Sequence, residues 1–319
     1  MAGQAERFAG DVARLLTHRH DFIPVPCPAC MGTQVRPAFE KLGLRYVICA
    51  SCETMFVSPR PSPDDLRRYY ETSENYAYWN THIFPASEAA RREKVFRPRA
   101  ERIRDIARRY GKETGVLLEV GAGFGTFCEE VQRLGGFRRV IAVEPTPDLA
   151  KTCRARGLEV LEQTIETVSL PEGSVDVIAS FEVIEHLFSP RDYVARCSQF
   201  LGAGGLLVLT CPNVKGFDIA VLGDLSESVD AEHLNYFHPD SLSQLVGGLG
   251  FDVLEVSTPG RLDVELVRKH VLAGRLDLDG QPFLRTVLLD RWEELGDAFQ
   301  DFLVRHGLSS HMWLVARKR

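Results

Sequence analysis

The chain has 319 residues, 45% of them hydrophobic and 26% charged, with a formal net charge of −6. That length has room for one sizeable core plus a small module, and the acidic balance argues against a general nucleic-acid binder. No apolar run reaches the ~18 residues of a membrane span, so no membrane partner is expected and the cytoplasm is the expected location.

Ala5 to Leu16 mixes Glu6, Arg7, Asp11 and Arg14 with apolar residues and reads as an amphipathic helix, not a signal peptide. Two C-x-x-C knuckles follow, Cys27-Pro28-Ala29-Cys30 and Cys49-Ala50-Ser51-Cys52, separated by eighteen residues. Each knuckle puts two thiolates on one side of a tight turn. Thr33 to Phe39 and Leu44 to Ile48 read as the hairpin that brings the pairs together. The spacing predicts a structural zinc ribbon on Cys27, Cys30, Cys49 and Cys52, closed to chemistry because no coordination position stays open. It would staple a small N-terminal domain, residues 1–62, that has little core of its own. Disulfides or a redox pair are the alternatives. Cys128, Cys153, Cys197 and Cys211 read as small core residues.

Phe56 to Pro63 is a proline-rich connector, and Leu66 to Trp79 reads as an aromatic helix within a linker of residues 63–95. Residues 91–109 carry nine basic and three acidic side chains around an apolar stripe of Ile103, Ile106, Ala107 and Tyr110. Their arginines are expected on a solvated face, the sharper alternative being that some hold a diphosphate or carboxylate.

Leu117 to Val120 reads as a buried strand entering Gly121-Ala122-Gly123-Phe124-Gly125-Thr126, with Phe127 to Leu134 as the next helix. Glycines there let the backbone turn sharply and approach a ligand, and the helix amide end points at the same place. This pattern holds a nucleotide-like cofactor at a strand's carboxyl end. Thr126 stands where a dinucleotide fingerprint needs its third glycine, and Glu119 would repel a pyrophosphate but suits a cationic cofactor. Arg139 to Val143 reads as a second strand, closed by Glu144-Pro145, whose carboxylate can accept from a ribose diol.

E-x-G-x-G-x-G followed by a strand ending in Glu resembles the class I S-adenosylmethionine-dependent methyltransferases. The resemblance implies an α/β fold with a Rossmann-like seven-stranded sheet over residues 96–319, its last strand inserted antiparallel. It implies a third strand Leu158 to Leu161, with adenine near Gln163 and Thr164. Ser174 to Glu182 resembles the fourth strand, Phe181 and Glu182 lying beside the cofactor's methionine part, and Val183 to Leu187 starts a helix. Leu201 to Gly205 reads as a turn before the strand Leu206 to Cys211. The helix Ser241 to Leu249 and the strands Phe251 to Val256 and Met312 to Ala316 complete the set. A helical insertion, 263–308, with Trp292, Phe299 and Phe302 as core candidates, would roof the pocket or make a homodimer contact. The implied cofactor-binding residues are Glu119, Gly121, Ala122, Gly123, Gly125, Glu144, Pro145, Gln163, Thr164, Phe181 and Glu182. Tyr76 and Tyr78 form either a lid over the methionine end or a linker core.

With its ribbon, the chain is similar to bacterial methyltransferases acting on sugars and secondary metabolites, the nucleotide-sugar C-methyltransferases above all. In-line methyl transfer is chiefly a positioning task, and a hydroxyl nucleophile needs a base. In the C-methyltransferases a histidine past the fourth strand and a Tyr-x-Glu-His motif past the fifth face the substrate. His186, Glu232 and His233 match those positions, but Asp230 replaces the tyrosine. The Glu-His-Leu-Asn-Tyr-Phe run looks more like O-methyltransferases of the same broad group. The expectation is O-methylation of a small hydroxylated acceptor, with His233 as general base, Glu232 orienting it and His186 as a hydrogen-bonding partner. In the plainer alternative, Glu185 and Glu232 cap helices and His233 and His238 are loop residues. The other histidines, His311 among them, carry no assignment.

Three further readings stay open: a sugar C-methyltransferase, a ribosomal RNA methyltransferase, and a zinc-dependent interaction module on an inactive fold. An RNA-binding ribbon should be basic. Over residues 21–60, Arg36, Lys41, Arg45 and Arg60 stand against Asp21, Glu40 and Glu53, and four thiolates on Zn²⁺ add about −2.

Overall fold

The computed structural model describes residues 2–319. The strands in chain order are β1 (Val35–Lys41), β2 (Leu44–Cys49), β3 (Met55–Val57), β4 (Val116–Val120), β5 (Arg139–Val143) and β6 (Glu159–Leu161). They continue with β7 (Val175–Phe181), β8 (Leu201–Pro212), β9 (Asn235–Tyr236), β10 (Phe251–Ser257) and β11 (His311–Lys318). Seven form one sheet in the order β10-β11-β8-β7-β4-β5-β6. Its pairs are parallel except where β11 runs antiparallel to both neighbours, β10 and β8. This is the seven-stranded α/β sheet expected from the sequence.

Every residue of β4 is buried, as a strand covered on both faces by helices requires. Alternate side chains feed two cores. Leu117 packs with Ile103 and Ile106 of the helix Arg97–Arg109 and with Phe127 of the helix Thr126–Leu134. Leu118 packs on the other face with Val194 of Pro190–Phe200 and Leu242 of Pro239–Gly247. Because both flanking layers bury their stripes here, the carboxyl edge of the sheet is left for loops.

The second sheet has the order β1-β2-β3-β9. Its first three strands belong to the ribbon, while β9 comes from the loop after β8. Cys27, Val47 and Phe56 share one continuous core with Leu118 and Leu209 of the large sheet.

Several expectations need correction. The connector starts later, because Phe56 and Val57 lie in β3, fully buried. The helix expected over 66–79 is two, Pro63–Thr72 and Glu74–Tyr78. Ser73 breaks it, accepting from Tyr76 N at 3.0 Å while donating to Asp11 of the N-terminal helix at 2.6 Å. After β7 there is only one 3₁₀ turn, Ile184–His186, and the helix begins at Pro190 behind the cap Ser189. The glycines of 202–205 are absorbed into β8, whose register against β7 shifts between Val175 and Val177.

The arginine run is not a uniformly solvated face. Arg92 lies 3.0, 2.5 and 2.7 Å from Glu88, Glu129 and Glu130, and Arg102 covers the Trp313 ring while holding Glu255 at 2.6 Å. Val264, Val267, Leu288 and Leu303 of the insertion form a separate core with Leu222 of the earlier helix Phe217–Leu222. Trp292 and Phe299 pack against it, but Phe302 is 47% exposed.

Candidate active site

The turn after β4 depends on its glycines. Gly121, Gly123 and Gly125 have φ of +78°, +56° and +73°. A Cβ on Gly121 would stand 2.5 Å from Val183, and one on Gly125 2.5 Å from Leu158, so those two glycines close the turn. A Cβ on Gly123 would meet no atom within 4 Å, which leaves open space beside it. Glu144 faces that turn, its carboxylate accepting from Gly123 N at 2.7 Å and Thr146 N at 2.9 Å. Each oxygen retains a lone pair for another donor. Phe124 of the turn stacks on Phe84, their planes 3° apart.

Glu119 is buried in β4 and accepts from the Cys128 thiol at 3.0 Å. Burial pushes its pKa up to about 8, against the pull of that bond and of Arg99. Ala122 is buried, Pro145 exposed, and Gln163 and Thr164 lie exposed just beyond β6. Phe181 ends β7 beneath the Arg99 guanidinium, 4.7 Å from its ring centre.

Glu182 follows with φ +55°, a conformation non-glycine residues rarely adopt. Its carboxylate accepts from Thr210 Oγ1 at 2.5 Å and His311 Nε2 at 2.8 Å, with Arg99 at 3.7 Å. Burial alone would raise its pKa, but the His311 bond and charge and Arg99 bring it down to about 2.

The two histidine segments meet beyond the same sheet edge. His233 Nδ1 lies 2.9 Å from the Ser228 carbonyl, and the backbone N–H groups of Glu232 and His233 both donate to Asp230 at 2.9 Å. A carbonyl only accepts, so Nδ1 carries the proton and Nε2 presents a lone pair. His186 Nδ1 lies 3.2 Å from the Glu232 carbonyl and 3.3 Å from the Tyr70 hydroxyl, which assigns the same tautomer. The rings sit 4.6 Å apart, and burial followed by His233 holds His186 down to about 3, hence neutral.

Glu185 is fully buried, with neither carboxylate oxygen hydrogen-bonded, and burial and Glu182 keep its pKa well above the usual carboxylate value. One of its oxygens comes within 4.8 Å of ring nitrogens of both His186 and His233.

Two sequence expectations are redirected here. The Glu232 carboxylate accepts from Tyr69 at 2.8 Å and Tyr76 at 3.0 Å, so Ser228 and Asp230, not Glu232, orient His233. Tyr76 accordingly belongs to the histidine cluster, and the aromatic side chain over the glycine turn is Phe84.

Arg99 and His311 carry no assignment in the sequence reading, where Glu185 appears only as a helix cap. His311 had a usable signal: the first residue of an antiparallel inserted strand lies at the edge where the parallel strands end. Nothing in the spacing separates Arg99 from its eight basic neighbours.

In the ribbon, Cys27 Sγ and Cys52 Sγ are 3.4 Å apart and Cys30 Sγ and Cys49 Sγ 3.5 Å. All four lie within 4.8 Å of one another. Tetrahedral Zn–S bonds of ~2.3 Å separate sulfurs by about 3.8 Å, so the donor set and spacing fit such an ion. The residue after each knuckle, Met31 and Glu53, takes positive φ, and Gly32 N and Ser51 N each donate to a cysteine sulfur at 3.4 Å. Burial raises the Cys27 pKa. It opposes ionisation at Cys49 too, but amide bonds from Cys52 and Ser51 bring that thiol down to about 7.

Residues 91–256, just over half of the chain, match the family described as a methyltransferase domain. A probable S-adenosylmethionine-dependent methyltransferase of Mycobacterium tuberculosis (strain H37Rv) is 30% identical over 137 residues, 42% of this chain and 48% of that one. A ubiquinone biosynthesis O-methyltransferase of Nitrosococcus oceani is 36% identical over 132 residues, 39% and 55% of the two chains. The chain spans about half the length of the curated relatives it matches. A solved S-adenosylmethionine-dependent methyltransferase of Archaeoglobus fulgidus superposes with a TM-score of 0.47 at 20% identity, over 74% of this chain and all of that one. No helix among the described residues is long and apolar enough to cross a membrane. The chain belongs to the methyltransferase-domain family.

Proposed function

We propose that this protein transfers a methyl group from S-adenosylmethionine to a hydroxyl of a small acceptor, with a structural zinc in the ribbon. The observation that carries the reading is the His233 ring. Its Nδ1–H is committed to Ser228, which leaves Nε2 as a base beside neutral His186 and the unpartnered Glu185.

When bound, S-adenosylmethionine supplies an electrophilic methyl carbon on a sulfonium. The open space at Gly123 and the free lone pairs of Glu144 fit a ribose, with Gln163 and Thr164 toward the base. Glu119, Glu182 and Arg99 lie toward the zwitterionic end, where carboxylates can hold an ammonium and the guanidinium a carboxylate. Gly121, Ala122, Gly125, Pro145 and Phe181 shape that cradle. His233 Nε2 takes the acceptor proton as the new bond forms. His186, itself held neutral by burial, adds no charge beside that base. Glu185 is free to accept a hydrogen bond from the acceptor. Tyr69 and Tyr76 hold Glu232, and Tyr70 contacts His186, so the three rings pack beside the histidine pair.

Oxygen as acceptor atom is supported by the relatives named as O-methyltransferases. A sugar or secondary metabolite is supported by the likeness of the ribbon and the Glu-His run. Zinc is supported by four converging thiolates, whose binding needs the reduced thiols of the cytoplasm.

Calorimetric titration with S-adenosylmethionine and S-adenosylhomocysteine tests the reading on wild type, Gly123→Arg and His233→Ala. Wild type and His233→Ala should bind, Gly123→Arg should not, and turnover on a panel of hydroxylated acceptors should fall at least ~100-fold in His233→Ala. No binding by wild type would move the interaction-module reading to the front.

A further inference from the structure

Three chain segments meet at the guanidinium of Arg60, which is 1% exposed. Nε donates to the Val57 carbonyl at 3.1 Å. Nη1 donates to the Phe188 carbonyl at 2.9 Å and to Asn235 Oδ1 at 3.0 Å, and Nη2 to the Leu234 carbonyl at 3.3 Å. Asn235, fully buried, extends the constraint: its Nδ2 lies 3.3, 3.2 and 2.8 Å from the carbonyls of Ile184, Glu185 and Leu187. His186 sits inside that clamped turn, and His233 directly precedes Leu234.

The backbone repeats the connection. Val57 N donates to Leu234 O at 3.0 Å, Leu234 N to Glu185 O at 2.8 Å, and β3 pairs with β9 at Met55↔Tyr236 and Phe56↔Asn235. His238 Nε2 donates to the Cys52 carbonyl at 2.7 Å, and the Tyr46 hydroxyl to the Asp230 carbonyl at 2.7 Å. Both histidine segments are thus fastened to the ribbon.

Arg60 makes these contacts without a salt bridge among the described residues. Burial lowers its pKa to about 9, and the charge acting to keep it ionised belongs to Cys27 of the ribbon. Such a cation is costly unless every donor is satisfied and a negative charge lies near. Four thiolates around one divalent ion supply that charge. A lysine could keep the charge but not the planar fork that reaches four oxygens on three segments.

We propose that Arg60 is a positioning residue for the acceptor site: through Asn235 it fixes the segments carrying His186 and His233 to the ribbon, so that a closed ribbon sets the separation of the two imidazoles. This rests on the reading of that histidine pair as the acceptor side of the site. The glycine turn and Glu144 make no bond to Arg60, so cofactor affinity is independent of it.

The test is long-range ¹H–¹⁵N spectroscopy of the imidazoles in wild type, Arg60→Lys and wild type stripped of ribbon metal by a chelator, each also titrated with S-adenosylhomocysteine. In wild type, His186 and His233 should appear as single Nδ1–H tautomers. In Arg60→Lys and in the stripped protein both should become mixed or broadened, His311 and His18 should be unchanged, and the S-adenosylhomocysteine Kd should stay within about 3-fold. Unchanged His186 and His233 signals in folded Arg60→Lys overturn the proposal. So does a loss of cofactor affinity and of the His311 signal alongside them, because Arg60 would then serve the fold at large. If wild type fails to bind S-adenosylhomocysteine while the two histidines respond as expected, the coupling stands and the methyl-transfer assignment falls.

Discussion

The residue with the plainest solution behaviour is Glu119. Its pKa is raised to about 8 by burial, so near neutrality most of it carries a proton in the free protein. A cationic ligand beside it favours the ionised form, so binding releases that proton. S-adenosylmethionine affinity should therefore rise with pH between about 6 and 8 and level off above, a dependence that Glu119→Gln should flatten. Calorimetry at several pH values in buffers of different ionisation heat checks both the slope and the proton release. Glu182 behaves oppositely. Its carboxyl, depressed to about 2 by His311 despite burial, contributes stability above the ordinary carboxylate range that is lost as pH falls toward 2. The same residue type three positions apart, Glu182 and Glu185, is thus pushed in opposite directions. The sequence carries both carboxylates, but the difference comes from His311, Thr210 and Arg99, which arrive from other elements.

At the scale of elements, the strand–turn–helix after β4 was legible because its glycines have distinct backbone duties. Gly125 combines left-handed φ with a Cβ position pressed against Leu158 and Cys153, whereas Gly123 has the φ alone. Gly125→Ala should cost about 2–4 kcal/mol of unfolding free energy, and Gly123→Ala about 1 kcal/mol. Urea unfolding measures both, and equal values would show that packing at Gly125 relaxes freely. The linker is the counter-example. An aromatic helical stretch is visible over 66–79, yet the break at Ser73 follows from Asp11, sixty-two positions away, accepting from Ser73 Oγ and from the amides of Glu74 and Asn75. Periodicity within one segment cannot register a cap supplied by another.

Over the whole molecule, the ribbon and the sheet are not two bodies joined by a connector. Cys27, Val47 and Phe56 lie in the core that also contains Leu118 and Leu209, and β9 completes the ribbon's sheet. Stripping metal from the four thiolates should therefore lower the stability of the whole chain, on the order of 10 °C in Tm, within one cooperative calorimetric transition. A separate low-temperature transition, with the main one unmoved, would mean that the ribbon folds independently. Around Val267 and Leu303 the insertion packs as a cluster of its own, closed by Leu222 from the helix after β8.

Three features were readable along the chain before any folding: the seven-stranded α/β architecture, the glycine turn after β4 and the four-cysteine donor set. The turn and the donor set are written in short-range chemistry, glycines where φ is positive and thiols paired three positions apart, while the sheet was implied by the resemblance those motifs carry. Which groups surround the reacting atoms emerged only on folding. Glu232 was expected to orient His233, but two tyrosines from the linker take its carboxylate, and a main-chain carbonyl orients the ring instead. His311 and Arg99 reach Glu182 only because an antiparallel strand and the helix before β4 converge on the sheet's carboxyl edge. Those partners lie far apart along the chain, and only the packing of whole elements brings their polar atoms within hydrogen-bond reach.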